Sequence, residues 1–305
     1  MEGRATPSAG LDLAADYIAA QFRAYGLQPV DEDYFQEAPD SRLNEDGMPT
    51  VKNVVGVLPG SDPDLKDTYL LITAHYDHIG VLESASGDDK IFNGANDNGS
   101  GTVAVMEIAR ALTTSGAKPK RTIVFICFFG EERRMGGSSY YGDNPVFPLE
   151  MTIAMLNIEM IGRTIKYSAD RSKRGELEDW TGKLGVTGFD YTDIGARLTA
   201  SCKKAGIDAI MDESASDSFF MRSDNRALAA KGIPAHTVSV GYEDPEYHRA
   251  NDHWETINYK NMVQVVRALV YATLDIANDP VAPKWNPEKE RARRYAEAWE
   301  KLHGG

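Results

Sequence analysis

Residues 121–132, RTIVFICFFGEE, decide the fold. From Ile123 to Phe129 every side chain is apolar or a thiol, with β-branched and aromatic types dominant. A half-solvated strand alternates polar and apolar residues; this run is written for cover on both faces, as in a largely parallel sheet. Two carboxylates, Glu131 and Glu132, then follow Gly130 where the buried strand ends. Paired acids in such a place are costly unless something cationic accepts them. One is expected to bind a metal and the other to act as a general base.

Working outward, MTIAMLNIEMIG (151–162) repeats the apolar character and is interrupted by Glu159. VKNVVGVLPG (51–60) and TYLLITAHYD (68–77) are two further strands, separated by the turn SDPDLKD. Residues 11–25 read as an amphipathic helix, with Leu11, Ala14, Ile18, Phe22 and Tyr25 near one face and a stop at Gly26. A second helix runs from Gly101 to about Thr114, burying Val105, Ile108 and Leu112. Helix 193–205, strand 235–240 and helix 258–277 follow, whereas 30–50 is polar and turn-rich and 163–193 is a polar excursion at the sheet's edge. The loop NDPVAPKWNP leads to a last helix, about 287–302, whose stripe of Ala292, Tyr295, Trp299 and Leu302 should dock on the body. Strands alternating with helices predict an α/β fold: a three-layer α/β/α sandwich around a mostly parallel twisted sheet, with 1–305 as a single catalytic domain.

Composition narrows the function. The 305 residues are 42% hydrophobic and carry a formal net charge of −13, which argues against a nucleic-acid partner. Cys127 lies in the apolar strand and Cys202 in a helix, so neither a disulfide nor a cysteine metal site is expected. No apolar run approaches the ~20 residues needed to span a bilayer.

Metal-ligand residue types recur where strands run out or glycine turns begin. Positions two apart in a strand face together, so His75 and Asp77 pair at the end of TYLLITAHYD, the carboxylate fixing the imidazole tautomer. The same rule turns His78 away and reads it as a surface residue. Asp97, in GANDNGSG, is either a helix cap or a carboxylate bridging two metals. Glu159 needs a partner, either a metal or Arg163. In EYHRANDH, His248 or His253 is a ligand, and spacing alone does not choose. Together these residues suit a two-zinc hydrolytic site, where two divalent cations would more than neutralise Asp97, Glu132 and Glu159.

The order His-x-Asp, Asn-Asp-Asn-Gly-Ser-Gly, Glu-Glu, Asn-x-acid-Met-Ile-Gly, Tyr-His resembles metallopeptidase family 28, over about residues 10–275. NVVGVLPG, AHYDH, GANDNGSG and KGIPA are similar to its bacterial exopeptidase branch. The resemblance implies a zinc-exopeptidase type of fold and two zinc ions. His75 and Glu159 would hold one, Glu132 and His248 the other, with Asp97 bridging. It also implies that Asp77 orients His75, that Glu131 is the base, and that Tyr247 contacts the tetrahedral intermediate. Arg222 and Asp224, in RSDNRALAAKGIPA, would line the substrate pocket, and the Asp97–Asn98 peptide would be cis. Glu159 stands where most members have Asp, and one zinc is therefore expected to be held more weakly.

The implied activity is an aminopeptidase acting on peptides. The alternatives are a single-zinc glutaminyl cyclase, a carboxypeptidase or a non-catalytic relative. MEGRATPSAG contains no signal region. Because many bacterial relatives are exported, a periplasmic or secreted location is expected, with a cytoplasmic one as the alternative.

Overall fold

The computed structural model describes residues 1–39, 50–85, 87–168, 175–210, 218–242 and 244–304. Its helices are α1 (Ala9–Ala24), α2 (Gly101–Thr114), α3 (Gly136–Asp143), α4 (Ile194–Ala205), α5 (Asn225–Ala229), α6 (Tyr259–Asn278) and α7 (Glu290–Leu302). The strands are β1 (Phe35–Pro39), β2 (Thr50–Leu58), β3 (Tyr69–His75), β4 (Gly80–Val81), β5 (Ile91–Phe92) and β6 (Thr122–Phe128). They continue with β7 (Thr152–Ile158), β8 (Ile165–Tyr167), β9 (Leu177–Asp179), β10 (Lys183–Val186), β11 (Asp208–Ile210) and β12 (Ala235–Ser239).

Eight strands form the main sheet in the order β1-β2-β6-β3-β7-β12-β10-β11. Its centre, β6-β3-β7-β12, is parallel throughout, and antiparallel strands flank it on both sides. The strands 51–60 and 68–77 are consecutive in sequence yet not neighbours, because β6 pairs between them. A parallel pair needs a long crossover, and α2 supplies it between β3 and β6.

Along β6 the burial follows the pleat. Ile123, Phe125 and Cys127 face a cluster built with Phe22, Ile108, Leu198 and Leu269 from α1, α2, α4 and α6. Val124, Ile126 and Phe128 face a second cluster with Tyr141, Leu228 and Tyr295 from α3, α5 and α7. The expected three layers are therefore present, with the sheet as the middle one. Within the last helix, Ala292 and Tyr295 are buried against Trp285 and Phe220, while Trp299 stays 38% exposed.

Some local expectations shift. Helix α1 starts at Ala9 because the Ser8 hydroxyl accepts from the Leu11 amide at 3.0 Å. The stretch 30–50, read as polar turns, contributes edge strand β1, and residues 40–49 of it lie outside the described residues. Antiparallel pairing with β2 supplies what the local pattern lacks. The excursion 163–193 holds the β8-β9 hairpin and β10, which re-enters the main sheet; residues 169–174 are outside the description. Both cysteines are buried and free, and among the described residues no helix is long and apolar enough to cross a membrane.

Candidate metal centre

The four central strands point their carboxyl ends the same way, and each delivers chemistry just there. His75 is the last residue of β3; Glu131 and Glu132 follow β6, Glu159 follows β7, and the loop after β12 carries Tyr247 and His248. Ligands of open α/β sheets gather at this edge because the loops converge there.

Asp97 is the hub. Its Oδ1 lies 3.4 Å from His75 Nε2, and its Oδ2 lies 3.2 Å from His248 Nε2. Glu132 Oε2 is also 3.2 Å from His248 Nε2. Donor atoms of His75, Asp97 and Glu159 fall within 4.8 Å of one another, and so do those of His78, Asp97 and Glu132. Asp97 sits in an irregular helical turn (Ala95–Ser100) with a cis Asp97–Asn98 peptide. The turn is pinned by Asn98, whose Nδ2 donates to Ile158 O at 2.9 Å and whose Oδ1 accepts from the Gly101 amide at 2.9 Å.

A second set of residues holds the first. Asp77 Oδ1 is 3.4 Å from His75 Nδ1 and accepts from the Glu131 amide at 3.0 Å, so one carboxylate ties two strand ends together. Asp252 accepts from the amides of Asn96 and Asp97 at 2.8 and 3.0 Å. Arg163 binds Asp244 and Asp252, each at 2.8 Å, clamping the His248 loop to the Asp97 turn. From the chain's start, Arg4 donates to the carbonyls of Tyr76, Asn93 and Gly94, and the Thr6 hydroxyl donates to Asp77 Oδ2 at 3.2 Å.

The polar atoms left over test whether a metal fits. Among the described residues, His75 Nε2, both ring nitrogens of His78, Glu132 Oε1 and Glu159 Oε2 are buried without a properly directed hydrogen bond. Buried polar atoms nearly always have partners, so a cluster of orphans around shared points marks where a cation belongs. Imidazole and carboxylate donors are those that zinc takes.

The charges agree. Burial pushes Glu131 well above the usual carboxylate range, with Glu159, Asp224 and Glu132 adding to it, and burial pushes Glu159 up to about 7. Burial works against protonation of His248, but Asp97 and Glu132 raise it to about 10. Burial likewise opposes protonation of His75, which Asp77 and Asp97 nevertheless hold well above the ordinary imidazole range. Surplus negative charge thus draws protons to the positions where cations would otherwise sit.

All five residues expected to be ligands converge here, with Asp77 behind His75 and Glu131 beside Glu132. Tyr247 stacks on His248 with ring centroids 3.9 Å apart. His253 turns to the rim, 3.1 Å from Asp89, so geometry favours His248. The Glu159–Arg163 alternative is replaced, because Arg163 is engaged by Asp244 and Asp252. Arg222 is exposed over the Phe219 ring. Asp224, expected in the pocket lining, is fully buried and accepts from Ser138 Oγ at 2.5 Å.

His78 corrects the surface reading. It is 1% exposed and faces the carboxylates. Strand alternation was carried past the strand: β3 ends at His75, and beyond it the chain turns, so the two-residue period no longer applies. Arg4, Thr6, Asp244 and Asp252 were also missed, and nothing in their local spacing pointed to them.

A carboxylate–imidazole cluster at the carboxyl edge of an α/β/α sheet defines a metallohydrolase type of architecture. The model of Peptidase family M28 matches residues 53–273, well over half of the chain, and the protein belongs to that family. Leupeptin-inactivating enzyme 1 of Streptomyces exfoliatus is 27% identical over 287 residues, covering 92% of this chain and 59% of that protein. The chain thus spans only part of the curated relatives it matches, 59% of this one and 48% of a probable zinc metalloprotease from Pyrenophora tritici-repentis. The fold is shared with the LapA aminopeptidase of Legionella pneumophila (TM-score 0.64, 19% identity, 91% of this chain and 68% of that one). It is shared equally with the glutaminyl cyclase of Porphyromonas gingivalis (TM-score 0.63, 17% identity, 88% and 90%).

Proposed function

We propose that the chain is a zinc-dependent aminopeptidase whose centre takes two zinc ions, one held by His75, Asp97 and Glu159 and the other by Asp97, Glu132 and His248. The observation that carries this reading is Asp97, whose two oxygens face His75 on one side and His248 on the other. When bound, zinc supplies Lewis acidity, lowering the pKa of a water and polarising the scissile carbonyl.

The chain's own groups do the rest. Glu131 takes a proton on its carboxylate from the attacking water and returns it to the leaving amine. Its amide is fixed on Asp77, so base and His75 are positioned by one carboxylate. The Tyr247 hydroxyl, carried on the ring stacked against His248, donates to the oxygen that becomes negative. Glu159, one methylene longer than the Asp common in the family, would hold its metal more weakly than the other set.

An amino terminus suits this centre better than a carboxyl terminus. A substrate carboxylate would need a cation to receive it, and the two arginines that brace the centre are engaged, Arg163 by two aspartates and Arg4 by three carbonyls.

Metal-stripped protein titrated with zinc, and assayed on matched free and N-acetylated peptides, tests the reading. Release of the N-terminal residue only with zinc, and only from free peptides, is expected. Silence on both with zinc bound would overturn it. Ring closure of an N-terminal Gln peptide would replace it with a cyclase.

A further inference from the structure

We propose that His78 is a sixth protein donor of the metal centre, closing the Asp97–Glu132–His248 position from beneath. This inference rests on the two-zinc reading and adds to it.

The Glu132 carboxylate lies between two imidazoles. Its Oε2 faces His248 at 3.2 Å, and its Oε1 faces His78 Nδ1 at 2.8 Å. His78 Nδ1 is also 3.9 Å from Asp97 Oδ2. The two rings meet edge to face with centroids 5.7 Å apart, His248 partly exposed and His78 sealed below it. The His78, Asp97 and Glu132 donors therefore cluster as tightly as the His75, Asp97 and Glu159 donors that define the other position.

Its surroundings force His78 into this place. Its amide donates to the Arg4 carbonyl at 3.2 Å, which sets the turn after β3. A Cβ on Gly94 would lie 2.4 Å from the imidazole Cγ, so a glycine with φ +57 leaves the room that the ring occupies. Despite this confinement, neither ring nitrogen has a hydrogen bond of proper direction among the described residues. Nδ1 lies close to Glu132 Oε1 without the direction a hydrogen bond requires, and in the tautomer protonated at Nε2 it would offer its unshared pair to a cation. An orphaned polar group in the interior is unfavourable, and a bound cation removes that cost. His78 thereby makes the second position a site of two imidazoles and two carboxylates.

The test uses the full chain, stripped of metal and reloaded with Co²⁺ or Zn²⁺, in wild type, His78→Ala and His78→Gln. The readouts are metal stoichiometry, affinity by chelator competition, the Co²⁺ d–d absorption band and the imidazole count from zinc X-ray absorption. Wild type is expected to bind two equivalents, with about 1.5 imidazoles per zinc, since three histidines would serve two ions. Both variants are expected to weaken one equivalent by roughly tenfold or more, shift the cobalt band and lower the count to about 1.0. Two equivalents with about 1.0 imidazole per zinc already in wild type would overturn the proposal, with no need for a variant to fold. An unshifted band in a folded variant would also overturn it, even if affinity falls, and would leave His78 as a hydrogen-bonding neighbour of Glu132. One equivalent in wild type would overturn the two-zinc reading itself, and the proposal with it.

Discussion

Two buried polar regions lie a few residues apart in this molecule and are finished differently. Between the sheet and α5, Thr73 Oγ1 donates to Asn157 Oδ1, Asn157 Nδ2 donates to Ser223 and Thr237, and Thr237 Oγ1 donates to Asn225 Oδ1. His236 completes the region, with Nδ1 2.8 Å from the Thr187 carbonyl and Nε2 2.7 Å from Thr192 Oγ1. Each donor there has an acceptor within the chain. At the metal edge the reverse holds: His75 Nε2, both His78 nitrogens, Glu132 Oε1 and Glu159 Oε2 converge with no properly directed hydrogen bond among the described residues. A network that closes on itself specifies packing, whereas one left open is completed only by something from outside.

The comparison breaks first at Glu131. Glu131→Gln keeps every proposed donor and is expected to retain zinc while losing roughly 10²–10⁴ in kcat. Strong turnover in the zinc-loaded variant would remove Glu131 from its role. Next comes Arg163, the closed ionic part of the open region. Arg163→Ala strands Asp244 and Asp252 and is expected to cost about 3–5 kcal/mol in denaturant unfolding. A loss under about 1 kcal/mol would show that the clamp is not a buried ion network.

His236 tests the closed region by pH. Burial lowers its pKa to about 4, so between that value and its ordinary 6.5 the unfolded chain binds a proton that the folded one does not. Stability from this group is therefore complete above about 6.5 and is lost as pH falls towards about 4, by roughly 3 kcal/mol. Unfolding of wild type against His236→Asn across that window should show the difference, and parallel curves would refute it. The smallest effect is expected at the chain's start. Arg4→Ala frees the carbonyls of Tyr76, Asn93 and Gly94 and should weaken zinc roughly 10–100-fold by chelator competition, with Arg4→Lys restoring part of it. An Arg4→Ala protein with wild-type zinc affinity would confine Arg4 to packing.

How much could be read beforehand depended on range. The run Ile123–Phe129 was legible because a strand buried on both faces must be apolar at every position, and β6 is buried at each. Glu132 and Glu159 were legible as acids at the ends of such runs, and Asp97 and His248 as candidate donor types in turn-rich segments. His78 was misread because a local period was extended across a turn. Arg4 and Thr6 were invisible, since they act on residues more than 70 positions away. Strand β1 was missed because its stability comes from pairing with β2.

The sequence by itself determined the layered architecture and the donor types, because burial periodicity and ligand chemistry are properties of short segments. Only the tertiary structure decided that β6 lies between β2 and β3, that Arg163 belongs to two aspartates, and that His78 faces inward. Those outcomes depend on which distant segments meet, and a segment's own composition does not record its neighbours.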